Sequence, residues 1–383
     1  MNKRFLFICF SQDLIPRHDS MIRTLLAEGY DVSVVTWERS KRSQSYIEGV
    51  RYKTIRVEAP LSSVLIIFTL RKYYLALADS LGQEEFEICM FAHAMLLPLV
   101  GRLRAKKYIY DIPEFLNYSL ADYFGVFRFL VRPLIELFEK YYIKKVDAVS
   151  YVGSRDDWLA DYVSSAKLSA EINNFPDTTI APQARQVAIL KEVYNGKNVV
   201  IYVGGLSIER GAKLVVDVAT ELRQKVPNLH IILMGRYRVE TSQLLADIDR
   251  RGLGEFVEVI EHVDYQLMLA YLKVSKVGLA LYVVDENIEV SRKFGPYNSR
   301  KIFTYMKMGL PVLVSSGNPF SKFVSDIGCG DVVDIGSQKQ LVSKIYNLFM
   351  NSHEVGKVGS HAVRDRYNWR REEAVFIQLL KKI

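Results

Sequence analysis

Two glycines and a cation follow a strongly apolar segment in the second half of the chain, and together they suit the binding of an anion. Residues 198–203 predict a buried strand, and Gly204 and Gly205 come directly after it. Arg210 precedes a predicted helix. Glycines let backbone N–H groups approach an anion, a helix amino terminus adds a positive dipole end, and a guanidinium binds phosphate in a fork. The pattern indicates a diphosphate site; ordinary turn chemistry is the alternative, because the spacing is neither a dinucleotide fingerprint nor a P-loop.

A second group of cations opens a predicted helix further along the chain. Asn298 and Ser299 end a loop that contains glycine and proline, and Arg300 and Lys301 follow in the first helical turn. Cations at this end oppose the helix dipole, so they are disfavoured unless an anion offsets their charge. The pattern therefore indicates another part of an anion site, and a solvated Arg–Lys pair is the simpler alternative.

Several carboxylates follow predicted strands of the first half and could orient the hydroxyl of an acceptor. Asp13 comes after the first strand, and Asp111 and Glu114 come after a later one. The carboxyl ends of parallel strands share one edge of a sheet, where ligands bind. Each carboxylate is equally well explained as a helix N-cap or a loop residue, and they form no convincing catalytic pair.

Metal and nucleophile chemistry are both disfavoured. The six histidines show no H-x-H or H-E-x-x-H spacing, so we expect no metal. The sequence has no G-x-S-x-G nucleophile elbow, and no cysteine lies near a base. The three cysteines share no close spacing, which excludes a disulfide scaffold and fits a reducing cytosol.

The scaffold that must position these residues is an alternation of apolar strands and amphipathic helices. It predicts an α/β fold of two doubly wound domains in series, with ligands at the carboxyl ends of the strands. The first domain is expected over residues 1–177 and the second over 198–365, joined by a linker with a short helix and followed by a last helix over 366–383. Strands are predicted at 5–10, 30–36, 87–91, 108–111, 148–152, 198–203, 229–234, 257–260, 277–282, 311–315 and 331–335, and a helix at about 211–225.

Two motifs, YVGGLSIERG and NSRKIFTYMKMGLPVLVSS, resemble the nucleotide-binding half of the retaining glycosyltransferases of family 4. The resemblance implies a GT-B fold, in which two Rossmann-like domains face each other across a cleft. The first domain would bind a saccharide acceptor and the second a nucleoside-diphosphate sugar, and transfer would retain the anomeric configuration without a metal or other cofactor. The last helix would pack back on the first domain.

The resemblance also assigns roles to particular residues. Arg210 and Lys301 match the cations at the diphosphate and, with Asp111 and Glu114, are the candidate catalytic residues, while Asp13 lies on the acceptor side. Candidates for binding the nucleotide sugar are Gly204, Gly205, Gly235, His262, Asn298, Ser299 and Thr304. Two positions depart from the family. Thr304 stands where the family has a glutamate that holds the donor ribose or sugar, and Pro113 replaces the histidine of Tyr-Asp-x-His-Glu.

The chain has 383 residues, a formal net charge of +8 and 49% hydrophobic residues. A basic surface attracts phosphorylated ligands, anionic lipid or nucleic acid. Scattered charge and the absence of a recognisable nucleic-acid motif argue against nucleic acid. Apolar runs such as Val64–Phe68 are far shorter than the ~20 residues of a membrane-spanning helix.

Residues 61–76 and 118–146 combine apolar side chains at helical spacing with lysines and arginines. A helix of this kind lies in the interface of an anionic membrane, although core packing explains the same apolar stripe. We expect a cytoplasmic enzyme on the inner membrane face that transfers a sugar to a lipid-linked saccharide in cell-surface polysaccharide biosynthesis. A non-catalytic glycosyltransferase-like partner subunit, suggested by Thr304 and Pro113, and a nucleotide-sugar epimerase of similar fold are the alternatives.

Overall fold

The computed structural model describes residues 3–11, 14–39, 46–59, 66–113, 128–153, 161–206, 211–237, 241–283 and 299–383. The chain forms two compact units. Unit 1 comprises Met1–Asn174 together with Arg370–Ile383, and unit 2 comprises Phe175–Trp369. Each unit is built on one parallel sheet with helices, which confirms the predicted α/β class.

Unit 1 contains a sheet of order β3-β2-β1-β4-β5-β6-β7, and every pairing in it is parallel. Its strands are β1 (Arg4–Ile8), β2 (Asp31–Glu38), β3 (Arg51–Arg56), β4 (Phe86–Phe91), β5 (Ala105–Ile112), β6 (Ala148–Tyr151) and β7 (Ser169–Glu171). The helices described between them are α1 (Pro16–Ala27), α2 (Ile66–Leu81), a 3-10 helix (Ala94–Leu99) and α3 (Arg128–Ile143). The side chains of Phe5–Ile8 are fully buried, as expected of a strand covered on both faces.

Unit 2 contains a second parallel sheet, of order β10-β9-β8-β11-β12-β13. Its strands are β8 (Asn198–Val203), β9 (Leu229–Gly235), β10 (Val257–Glu261), β11 (Val277–Ala280), β12 (Val312–Ser315) and β13 (Gly330–Val333). Its helices are α4 (Ala184–Val193), α5 (Ala212–Asp217), α6 (Ala219–Lys225), α7 (Thr241–Arg250), α8 (Tyr265–Val274), α9 (Arg300–Lys307), α10 (Pro319–Ile327), α11 (Gln338–Met350) and α12 (Ser352–Asp365). The prediction of one helix over 211–225 was wrong, because the chain breaks at Val218 into α5 and α6.

The last helix, α13 (Trp369–Lys382), crosses from unit 2 into unit 1. Two of its glutamates hold it there. Glu372 accepts a hydrogen bond from the backbone N–H of Asn173 at 2.5 Å, and Glu373 accepts one from the Thr24 hydroxyl at 2.8 Å. Unit 1 is therefore completed by residues from the far end of the chain.

Each sheet has one point at which the strand order reverses, which we call its switch point. In unit 1, β1 lies between β2 and β4, and in unit 2, β8 lies between β9 and β11. Helices that leave such a point turn to opposite faces of the sheet, which opens a crevice beyond the carboxyl ends of the two central strands. These two crevices are where the residues of each sheet are best placed to meet a ligand.

Candidate functional site

The crevice of unit 2 begins with a close contact between the ends of β8 and β9. The backbone N–H of Gly204 donates to the carbonyl of Met234 at 2.9 Å. A Cβ atom on Gly235 would lie 1.6 Å from the carbonyl oxygen of Gly204, so only glycine fits there. A Cβ atom on Gly204 would lie 2.9 Å from the Nζ atom of Lys301. The predicted glycines thus let two backbones and one ammonium group approach each other at the switch point.

Lys301 lies in the first turn of α9, and its Nζ atom is held over two aromatic rings. The ring centroids of Tyr202 and Tyr282 are 4.8 Å and 4.7 Å from Nζ. The hydroxyl of Tyr202 donates to the carbonyl of Gly205 at 2.9 Å, which ties the ring to the turn. Ring faces attract a cation without carrying a net negative charge. The two rings therefore hold the ammonium beside the glycine turn.

A third tyrosine positions α9 against the sheet. The hydroxyl of Tyr305 accepts a hydrogen bond from the backbone N–H of Val203 at 2.8 Å and donates to the carbonyl of Leu279 at 3.1 Å. Its ring fills the space above Gly278, where a Cβ atom would lie 2.6 Å from the ring. Tyr305 joins the ends of β8 and β11 to the helix that carries Lys301. Burial raises the pKa of this tyrosine well above its usual value, so it remains a neutral donor.

The hydroxyl of Thr304 is used inside its own helix. Thr304 is buried, and its hydroxyl donates to the carbonyl of Arg300, one turn earlier, at 2.8 Å. Ser299 precedes the helix, is buried as well, and has its Oγ atom 3.5 Å from the hydroxyl of Tyr282. The hydroxyl proton of Thr304, which could have donated to the donor ribose, is therefore already used in a hydrogen bond to the backbone.

The other predicted donor-side residues lie at the same edge of the sheet. Gly205 follows β8, Gly235 ends β9, and the exposed His262 follows β10. Their strands are neighbours in the order β10-β9-β8, so these positions line one side of the crevice. Asp13, Glu114, Arg210 and Asn298 lie outside the described residues.

Asp111 ends up in the interior of unit 1. It is fully buried, and the guanidinium of Arg17 donates to Oδ1 at 2.7 Å while the hydroxyl of Ser150 donates to the same atom at 2.6 Å. Nε2 of His18 lies 3.0 Å from Oδ2. Burial alone would raise the pKa of Asp111, but Arg17 and His18 outweigh it and hold the carboxylate ionised. This carboxylate joins α1 to β5 and β6, and the structure gives it no exposed surface with which to meet an acceptor.

The crevice of unit 1 instead carries an aromatic cluster that the sequence analysis missed. Phe10 follows β1 and His93 follows β4, and their rings stack with centroids 4.2 Å apart. The guanidinium of Arg39, which follows β2, lies 5.6 Å from the Phe10 ring centroid and 5.3 Å from that of Trp37. The signal was available, because each of these residues comes directly after, or at the end of, a strand beside the switch point.

The tautomer of His93 is fixed by the backbone. Its Nδ1 atom accepts a hydrogen bond from the N–H of Met95 at 3.1 Å, which leaves the proton of the neutral ring on Nε2. Burial, and then the positive charge of Arg39, lower the pKa of His93 to about 4. The ring is therefore a neutral hydrogen-bond donor near pH 7. It is not a general base, since its one lone pair is already used.

Two negative findings bear on the site. Within the described ranges, no three His, Cys, Asp or Glu side chains gather as a possible metal site. No helix in the part of the chain that the structure describes is long and apolar enough to cross a membrane.

Comparison with known proteins agrees with this geometry. Residues 197–351 match the family described as Glycosyl transferases group 1. The fold is similar to that of sucrose-phosphate synthase from Thermosynechococcus elongatus, with a TM-score of 0.74 and 15% identity over 100% of this chain and 99% of that one. No curated protein matches the chain in sequence.

Two further solved structures have the same fold. Anabaena HepE, in complex with UDP and glucose, has a TM-score of 0.70 and 14% identity over 100% of both chains. WaaG, a glycosyltransferase involved in lipopolysaccharide biosynthesis, has a TM-score of 0.66 and 13% identity over 97% of this chain and 99% of that one. The chain has the GT-B fold along its length, and the segment that matches the group 1 glycosyltransferases is the one that builds the Lys301 crevice.

Proposed function

We propose that this protein is a retaining glycosyltransferase of family 4 that moves a sugar from a nucleoside diphosphate to a saccharide acceptor. Unit 2 binds the donor and unit 1 binds the acceptor. The observation that carries the proposal is the ammonium of Lys301, held on two rings beside the Gly204–Gly205 turn at the switch point of unit 2. The match of residues 197–351 to group 1 glycosyltransferases supports it.

The chemistry needs little more than this arrangement. As the bond between the anomeric carbon and the diphosphate breaks, negative charge develops on the leaving oxygen. A fixed cation such as the Lys301 ammonium stabilises that charge most in the transition state. The acceptor oxygen forms the new bond on the same face, and its proton passes to the departing phosphate. No carboxylate nucleophile is required, which fits a buried Asp111 held by Arg17.

The acceptor side of the proposal is carried by unit 1. The Nε2–H of His93 and the guanidinium of Arg39 lie at its crevice, where a saccharide hydroxyl would need donors. His93 lies at the end of β4, next to the end of β5 at which Pro113 replaces the family histidine. We assign the acceptor to a lipid-linked saccharide of a cell-surface polysaccharide, with the enzyme on the cytoplasmic face of the membrane.

Thermal unfolding with UDP, GDP, ADP and TDP tests the donor site. UDP comes first, because structures of similar fold contain UDP, UDP-glucose or UDP-2-fluoro glucose. A nucleotide at about 100 times its dissociation constant adds about 2.7 kcal/mol of stability. We expect one diphosphate to stabilise the wild type and to lose that effect in Lys301→Ala. The matched control is Lys322→Ala, whose exposed side chain is paired only at the surface with Asp326. Lack of stabilisation by every diphosphate would remove the donor site.

Turnover of the matching nucleotide sugar separates the remaining possibilities. A retaining transferase releases nucleoside diphosphate in step with a product whose anomeric configuration, read by NMR, equals that of the donor. Conversion of the free donor without an acceptor would instead identify an epimerase. Diphosphate binding without any turnover would identify a non-catalytic partner subunit, for which the committed hydroxyl of Thr304 is the supporting observation.

A further inference from the structure

The inward side of helix α3 carries a charged residue, Glu139. Glu139 is fully buried, and the hydroxyl of Tyr110 on β5 donates to its Oε1 atom at 2.6 Å. The hydroxyl of Tyr162 donates to its other oxygen. Ile143, one turn later, is buried on the same side. A carboxylate between two phenols therefore marks the inward face of this helix.

The opposite side of α3 is apolar and exposed. Leu130, Leu134, Leu137 and Tyr141 form what we call the outer stripe, at the spacing of one helix face. Their exposed fractions are 56%, 67%, 68% and 53%. A surface helix ordinarily turns its apolar stripe towards the core and its charges towards water. Core packing, which explains this pattern equally well in the sequence, does not explain it in the structure.

Two exposed lysines, Lys144 and Lys145, lie at the carboxyl end of the outer stripe. Residues 128–145 contain five lysines and arginines and two glutamates, and one of these glutamates is the buried Glu139. The other, Glu136, is paired with Lys140 at 2.7 Å. Lys145 lies at the end of the stripe, with its Nζ atom 4.1 Å from the ring centroid of Tyr141. The exposed face is therefore apolar along its length and positively charged at its carboxyl end.

The neighbouring helix α2 has a similar outer side. Its Tyr74 donates to the carbonyl of Met95 in the 3-10 helix that contacts α3. Burial, and then the nearby Tyr142 of α3, raise the pKa of Tyr74, which shows that the two helices are close. On its outer side α2 exposes Phe68 by 79% and Leu75 by 63%. Helix α2 thus adds two exposed apolar side chains to those of α3.

We propose that unit 1 docks on an anionic lipid bilayer through the outer stripe of α3. Apolar side chains enter the interface, and Lys144 and Lys145 at the end of the stripe meet the lipid phosphates. A second copy of the chain is a poorer occupant, because pairing two such faces would bring like charges together. The docking proposal depends on the proposed function in one respect only: docking would bring unit 1 to a lipid-linked acceptor.

Co-sedimentation with vesicles tests the proposal in the absence of any donor. The probes are vesicles of phosphatidylcholine alone and vesicles of phosphatidylcholine and phosphatidylglycerol in equal parts. We expect the wild type to bind the anionic vesicles, and the double variant Leu134→Ser/Leu137→Ser to bind them about tenfold less. The matched control is Ile189→Ser/Val193→Ser on α4 of unit 2, where the two side chains are 49% and 55% exposed. This control should bind like the wild type.

A charge variant tests the second half of the interaction. Lys144→Gln/Lys145→Gln should weaken binding to anionic vesicles and leave the small binding to neutral vesicles unchanged. Urea unfolding confirms that each variant is folded, and stabilisation by the nucleoside diphosphate shows whether unit 2 is intact. Failure of the donor test with normal vesicle binding would remove the proposed function and leave the docking surface.

Three results would overturn the docking proposal. The first is an absence of wild-type binding to anionic vesicles. The second is equal binding by the outer-stripe variant and the wild type. The third is a dimer, seen by light scattering, that Leu134→Ser/Leu137→Ser dissociates, which would assign the stripe to a second copy of the chain.

Discussion

The two units place a buried cation near the carboxyl edge of a parallel sheet, but they surround it differently. In unit 1, Arg17 donates to both oxygens of Asp111 and to the carbonyl of Ile172. In unit 2, the ammonium of Lys301 lies on the rings of Tyr202 and Tyr282, beside a turn of glycines. The first cation is neutralised by a carboxylate and joins elements of the fold. The second lies on two aromatic rings beside the glycine turn of the crevice.

We therefore expect changes around Arg17 to lower the stability of the fold, and changes around Lys301 to weaken ligand binding. A buried charge that loses its partner destabilises the fold, whereas removal of a cation that lies on ring faces costs the smaller cation–π attraction. The following predictions test that separation, from the largest expected effect to the smallest.

Replacement of Asp111 should have the largest effect on stability. Asp111→Ala leaves the guanidinium of Arg17 buried without its carboxylate, so we expect a loss of about 3–5 kcal/mol in the free energy of unfolding. Urea unfolding measures it, and Asp326→Ala, which breaks an exposed pair with Lys322, is the control. Normal stability with lost turnover would return Asp111 to a catalytic role and remove the contrast between the units.

The glycine turn of unit 2 should tolerate almost no substitution. Gly235→Ala forces a Cβ atom to within 1.6 Å of the Gly204 carbonyl oxygen. We expect about 3 kcal/mol of destabilisation in urea and the loss of diphosphate stabilisation. Gly254→Ala, where a Cβ atom meets nothing within 4 Å, provides the control. An undisturbed Gly235→Ala variant that still binds diphosphate would contradict the geometry of the turn.

His93 should make unit 1 sensitive to mild acid. Its pKa is lowered to about 4 in the folded protein, against 6.5 for the unperturbed group. The unfolded chain binds the proton first, so stability is full above pH 6.5 and falls between pH 6.5 and 4, by up to about 3 kcal/mol. His93→Asn keeps a hydrogen-bond acceptor for Met95 and cannot titrate. Unfolding temperatures followed across this pH range should fall less in the variant than in the wild type, and parallel curves would refute the assignment.

The smallest effect should come from Thr304. Its hydroxyl already donates to the carbonyl of Arg300, so Thr304→Val removes a bond within the helix and leaves the donor contacts unchanged. We expect stability to change by about 1 kcal/mol and the affinity for the diphosphate to stay the same. Calorimetric titration measures the affinity. A tenfold loss would show that Thr304 holds the donor after all.

The sequence predicted the two parallel sheets and most of their strands, because apolar runs are local signals, and it grouped Gly204, Gly205 and Lys301 at one anion site. It missed the edge strands β3 and β7, whose residues are mostly polar. It did not predict the partners of that lysine. Tyr202 and Tyr282 lie at the ends of apolar strands, where a tyrosine looks like part of the core. The position of Asp111 at the end of a strand can be read from nearby sequence, and it suggested a carboxylate that is free to meet an acceptor. Arg17, which neutralises it, lies on α1, far away in the sequence.

The orientation of helix α3 is another feature that the sequence could not predict. Helical spacing identified its apolar residues but could not say which face of the helix turns inward. The buried Glu139 decides the question, and its partners Tyr110 and Tyr162 are distant in sequence. The periodicity therefore predicted an amphipathic helix correctly and left its orientation to contacts that only the fold supplies.

The return of α13 to unit 1 sets an order on biosynthesis. The seven strands of unit 1 leave the ribosome first, but the segment Arg370–Ile383 that completes the unit is translated only after all of unit 2. Until then the backbone N–H of Asn173 lacks its Glu372 partner and the hydroxyl of Thr24 lacks Glu373. Unit 2, in contrast, is one uninterrupted stretch of chain and can fold as soon as it emerges, since domains fold as units during synthesis. The nascent protein thus completes unit 2 before unit 1 is closed.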